Sequence, residues 1–128
     1  LSGLAGAWSL APAVSVRCER FSNEFNVDAD RLEVSFLAGG QDQLELRFLQ
    51  GQTVEARVAG TVAASGVNTF EFFGTSQPTR VRIRMEGSYV EDQIEAVFHF
   101  LFGGSVFDIS LFGSRCNDVS HPRVLTRS

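Results

Sequence analysis

The stretch TRVRIRMEGSYVEDQIEAVFHFLF, residues 79–102, alternates apolar and polar residues almost without a break. A period of two sends successive side chains to opposite faces, which is the pattern of a strand. Glu91-Asp92 sits between the two alternating runs as their turn. That register sets Met85 opposite Phe98, Ile83 opposite Phe100 and Val81 opposite Phe102. Gly103-Gly104 supplies the next tight turn, into SVFDISLF, so Phe107 falls beside Phe100 and Ile109 beside Phe98. One face of three strands therefore carries Val81, Ile83, Met85, Phe98, Phe100, Phe102, Phe107 and Ile109. Tyr89, Ile94, Ala96 and Leu111 continue it. This face reads as a sheet interior.

Working outward, the rest of the chain shows the same period. A first strand centres on Trp8, with Pro12 as an interruption tolerated at an edge or bend. AVSVRCERF follows, with Val14, Val16 and Cys18 on one face. Asp28-Ala29-Asp30 reads as a turn that pairs Phe25 with Val34 and Val27 with Leu32. Ala38-Gly39-Gly40-Gln41-Asp42 reads as a hairpin loop. Gln50-Gly51-Gln52 joins QLELRFL to TVEARVA, pairing Phe48 with Val54, Leu46 with Ala56 and Leu44 with Val58. On the other face that register pairs Arg47 with Glu55 and Glu45 with Arg57, both complementary. Residues 60–66 read as a loop, and residues 67–74 as a strand with Phe70 and Phe72 on one face. Ser76-Gln77-Pro78 turns the chain.

Eight or nine short strands with hairpin connections predict an all-β fold. The expected architecture is a single antiparallel barrel of about eight strands over residues 1–116, with a β-sandwich as the alternative. The segment NDVSHPRVLTRS, residues 117–128, reads as a polar C-terminal tail.

The chain has 128 residues, one domain's worth and enough for a real core. Its 12 Phe against one Trp and one Tyr supply large apolar area without a polar handle, so they belong in a core or a cavity. A net charge of −4 argues against general polyanion binding. All eleven basic residues are arginine, which removes a Schiff-base or P-loop lysine from the catalytic options. Two cysteines far apart, Cys18 and Cys116, suit one disulfide in an exported protein. No metal-ligand spacing occurs, so neither a metal nor a cofactor is expected. There is no run of 18 apolar residues and no signal-type segment, and the chain opens on Leu1. A mature, processed, soluble protein is expected, secreted or periplasmic and without a membrane span.

The opposite face of the same three strands carries Arg82, Arg84, His99 and Asp108, with Glu86 and Glu95 beside them. The row Arg84–His99–Asp108 is the sole support for catalysis, with Asp108 orienting His99 as an acid–base group. No nucleophile motif frames Ser88 or Ser110, so the row reads as a structural ladder and the protein as non-catalytic. Nucleic acid is not an expected partner, because the aromatics lie on the other face and the acidic residues cancel the arginines. The acidic pairs Asp28/Asp30 and Glu91/Asp92 are turn residues, with too few oxygen ligands for a strong calcium site.

Gly6-Ala7-Trp8, at the start of the first strand, resembles the Gly-x-Trp signature of lipocalins and the wider calycin group, avidins included. In lipocalins that Trp packs at the closed end of the barrel, near an arginine on or after the last strand. Arg115, directly after SVFDISLFGS, stands in the matching place. The resemblance implies an eight-stranded barrel with an apolar cup for a small ligand. The further tryptophans of an avidin-type biotin site are not present, so biotin binding is not carried over.

Two functional expectations follow. In the first, the Phe-lined interior binds a small apolar ligand. In the second, the core is solid and the chain is a structural or interaction subunit of an exported or cell-surface assembly. Its partner, or a second copy, would then dock on the outer face at Arg82, Arg84, His99, Leu101, Val106 and Phe112.

Overall fold

The computed structural model describes residues 2–20, 23–38, 42–76, 81–101, 116–117 and 121–128. A short 3-10 helix, η1 (Ser2–Leu4), precedes the strands β1 (Gly6–Arg20), β2 (Asn23–Phe36), β3 (Gln43–Gln50) and β4 (Thr53–Ala64). They are followed by β5 (Thr69–Ser76), β6 (Arg82–Val90), β7 (Gln93–Leu101), β8 (Cys116–Asn117) and β9 (Arg123–Arg127). Each strand from β1 to β7 pairs antiparallel with the next. β9 then pairs with both β7 and β1 and closes the sheet. β8 lies along the second half of β1 and β9 along the first, so the two share one position around the ring. The result is an all-β chain in one closed, eight-stranded antiparallel barrel. Closure pairs the strand edges that a sandwich would leave exposed.

Period-two alternation decides which residues fill the barrel. Trp8, Val14, Val16 and Cys18 of β1 are buried, as are Leu44, Leu46 and Phe48 of β3 and Phe70 and Phe72 of β5. Each large apolar side chain so removed from water contributes about 1.5–3 kcal/mol. The β6–β7 register matches the sequence reading residue for residue: Met85 pairs with Phe98, Ile83 with Phe100 and Arg84 with His99, around the turn at Glu91-Asp92.

Four local readings are corrected. Asp28-Ala29-Asp30 is not a turn, since β2 runs straight through it. Phe25 pairs with Cys18 and Val27 with Val16, while Leu32 pairs with Trp8. The two aspartates are polar outward positions of a strand, and Ala29 between them is buried. Inward parity then changes between Ala29 and Leu32, opposite the irregular stretch of β1 that contains the cis Ala11–Pro12 bond.

The β3–β4 pairing is displaced by two residues from the expected one. Phe48 pairs with Ala56 and Leu46 with Val58, and a bulge follows before Leu49 meets Val54. Gly51-Gln52 alone forms the turn, with Gly51 at a φ of 61° that suits glycine. Away from the bulge, a two-residue displacement keeps every face, so the core reading survives there while the partners change. The bulge leaves Glu55 as the extra residue and exposes Val54. Arg47 now stands opposite Arg57, and two glutamates offset that repulsion: Arg47 lies 3.3 Å from Glu33, its register partner on β2, and Arg57 lies 3.7 Å from the diagonal Glu45.

Residues 60–64 belong to β4 rather than to a loop, and the turn is residues 65–68. The last residues are not a detached tail either, because β9 is a stave of the barrel. Its inward positions are Arg123, Leu125 and Arg127, so no apolar alternation announces it; Leu125 is fully buried.

Candidate functional site

The expected interior residues Val81, Ile83, Met85, Phe98 and Phe100 are all buried. Phe102, Phe107 and Ile109 lie outside the described residues. β3 and β7 are four positions apart in the ring of eight, which places them on opposite walls. Even so, the Phe48 and Phe98 ring centres are 5.6 Å apart in an edge-on contact. Phe100 stands 6.2 Å from both Phe48 and Phe98, and 6.4 Å from Phe25 on β2. At this level the rings bridge the full width of the barrel. Such distances are those of favourable aromatic pairs, and eight strands enclose little more than their own side chains.

One end of the barrel is closed by a compact assembly around Trp8. The indole Nε1 donates to the Leu4 carbonyl at 2.9 Å, which ties η1 across the opening. Arg127, the register partner of Trp8, lays its guanidinium 4.1 Å from the ring centre. It also donates to the carbonyls of Ala5 at 2.6 Å and Gly3 at 2.5 Å. Arg115, which the sequence reading put near this tryptophan, lies outside the described residues. The arginine observed there is Arg127. The signal for it is the Arg-x-Leu-x-Arg alternation of residues 123–127, legible only once arginines are allowed to face inward.

The outer face of β4–β7 is ordered in rows. Thr61, Phe73, Arg84 and His99 form one row across the four strands, and Ala59, Thr75 and Arg82 form the next. Arg84 and His99 both meet Glu86, whose Oε2 lies 3.1 Å from an Arg84 nitrogen and 3.1 Å from His99 Nε2. The expected partner Asp108 lies outside the described residues, as do Val106 and Phe112. Leu101 is the register partner of Arg82. Arg82 itself is exposed and makes no ion pair with any described residue.

These rows border a groove of about 640 Å³ lined by Ala59, Gly60, Phe73, Gly74, Thr75, Arg82, Ile83, Arg84 and His99. Gly60 and Gly74 are cross-strand partners. A Cβ on Gly60 would lie 1.9 Å from the Phe73 carbonyl oxygen, so β4 and β5 approach here more closely than any side chain allows. Phe73 is 54% exposed, an aromatic left in water beside two arginines. The doubled aromatic in Phe72-Phe73 is its sequence signal: if Phe70 and Phe72 face in, Phe73 faces out. Gly60 and Gly74 give no such signal, because their pairing follows from the β4–β5 register alone.

Cys18 is buried and is the register partner of Cys116 across β1 and β8. Among the described residues no group of three His, Cys, Asp or Glu side chains could hold a metal, and no helix is long and apolar enough to cross a membrane. Comparison with protein families, with curated proteins and with solved structures finds no match for this chain.

Proposed function

We propose that this chain is a non-catalytic binding module of an exported or cell-surface protein, a calycin-type barrel with a solid core that meets its partner on the outer face of β4–β7. The observation that carries this reading is the Phe48–Phe98 contact, 5.6 Å between ring centres from opposite walls. A ligand cup at that level would need the space these rings occupy. The outer face supports the other half of the reading, with Phe73 exposed beside Arg82, Arg84 and His99.

The calycin assignment rests on Gly6-Ala7-Trp8 together with Arg127 over the indole at the closed end. An arginine of the last strand against the first-strand Trp is the relationship the lipocalin resemblance implies. Export rests on a Cys18–Cys116 disulfide, supported by their register partnership and by the lack of a free thiol among the described cysteines.

The test is native mass spectrometry of protein purified without denaturation, followed by organic extraction. The expected result is the mass of the bare polypeptide, as a monomer or an oligomer. A stoichiometric small molecule in the extract would overturn the solid-core reading in favour of an interior apolar ligand.

A further inference from the structure

The groove between β4 and β7 combines features that select a ligand class. Its floor is low, because the outward side chains of Ala59 and Thr75 are small and only the backbone of Gly60 and Gly74, inward positions of the register, lies between them. Phe73 offers one apolar aromatic wall. Arg82 supplies an exposed guanidinium with no ion-pair partner among the described residues. Arg84 and His99 are both held in place by Glu86, 3.1 Å from each. Among the described Arg and Glu side chains, Arg82 and Arg84 against Glu86 leave the groove one positive charge in excess. Its volume, about 640 Å³, falls in the range of small-molecule sites.

We infer that this groove binds an anionic group carried on a flat apolar body, an aromatic carboxylate, with the ring against Phe73 and the carboxylate on Arg82. Guanidinium and carboxylate match as a planar fork, and the pairing is stronger beside an aromatic wall that displaces water. The opposite face of the same strands offers no comparable anchor, since its rings are already packed on one another. The inference rests on the outer face being the working surface.

The experiment is an amide-shift NMR titration of the whole protein with 2-naphthoate, set against the uncharged 2-naphthalenemethanol. Saturable shifts are expected at Phe73, Thr75, Arg82 and His99. The neutral compound, and the Arg82→Gln variant with naphthoate, should each bind about ten-fold more weakly, the loss expected for one charged contact. Phe73→Ser should weaken both compounds alike. The buried emission of Trp8 checks that each variant is folded. Equal binding of the two compounds, an unaffected Arg82→Gln variant, or no saturable shift at all would overturn the inference and leave the outer face to a macromolecular partner. Shifts confined to Phe98, Phe100 and Phe48 would instead overturn the solid-core reading beneath it.

Discussion

Arg127 and Trp8 are cross-strand partners whose side chains stack, guanidinium to ring centre, at 4.1 Å. This one contact joins the first strand to the last and holds η1 through the carbonyls of Gly3 and Ala5. Arg127→Met removes a cation–π contact and two charge-assisted hydrogen bonds, so a loss of about 2–4 kcal/mol is expected in urea unfolding. Trp8 is the single tryptophan and is fully buried. Its emission in native buffer should therefore shift to the red as water reaches the end of the barrel. Arg127→Lys should recover less than half of the loss, because a lysine cannot stack and fork at once. Unchanged emission and stability in Arg127→Met would show that the closed end is held by other contacts.

Phe48 and Phe98 meet across the lumen. Each truncated alone to alanine should cost about 3–5 kcal/mol, through lost burial and the cavity left behind. Because the rings touch, the double variant should differ from the sum of the singles by about 0.5–1.5 kcal/mol. Strict additivity in a double-mutant cycle would mean that the two rings do not share a contact in solution.

The proposed Cys18–Cys116 bond would close a loop of roughly three-quarters of the chain. Replacing both cysteines with alanine should lower stability by about 4–5 kcal/mol in the chain-entropy account, less if the bond is strained. Mass spectrometry under native conditions should find the chain two hydrogens lighter than its reduced form. A thiol-alkylated native protein at full stoichiometry would refute the bond.

Asp28 accepts hydrogen bonds from Arg17 at 2.7 Å and Ser15 at 2.9 Å, outward from β2. The Arg17 bond, then the Ser15 bond, hold its carboxyl below the ordinary value of 3.8. A pKa lowered on folding means that the unfolded chain takes up the proton more readily. The resulting stability is therefore fully present above the ordinary value and lost as pH falls through the lowered one. Asp28→Asn should lower the urea midpoint at neutral pH and converge with the parent in strong acid. A constant difference across the acid range would place the effect outside this carboxylate.

Gly60→Ala brings a Cβ within 1.9 Å of the Phe73 carbonyl oxygen and 2.5 Å of the Gly74 Cα. Both obstacles are backbone and cannot turn aside. A severe loss is expected, about 3 kcal/mol or more, read as a lowered thermal midpoint or as insoluble protein. Gly51→Ala is the milder control. Its Cβ meets nothing within 4 Å, and only the positive φ opposes it.

The alternation of β6 and β7 was fully legible, register included, because Glu91-Asp92 marks a two-residue turn and such a turn sets the pairing. The β3–β4 faces were legible except at the bulge, which turns Val54 outward and buries Leu49. Their partners were not, because Gln50-Gly51-Gln52 allows more than one turn and a two-residue displacement leaves the faces away from the bulge unchanged. At Asp28-Ala29-Asp30 the polar residues that suggested a turn are the wet positions of a strand: Asp28 accepts from Arg17 and Ser15 across the sheet, and Asp30 from the Gly51 N–H. Of the candidate site, Arg82, Arg84 and His99 could be placed on one outer face from alternation alone. Phe73 was within reach by parity, and Gly60 and Gly74 were not.

By itself, then, the sequence determined that most of the chain forms strands and which side chains the apolar-alternating strands turn inward. Both depend only on a period of two. The tertiary structure alone decided how the ring closes. β9 enters as a stave although its inward residues include two arginines, one buried and one laid on Trp8. It also decided that the Phe rings of opposite walls meet, and that the small outward residues Ala59 and Thr75 on neighbouring strands leave a groove beside Arg82. These outcomes rest on contacts between residues far apart in the chain, and no local pattern carries a distance across a barrel.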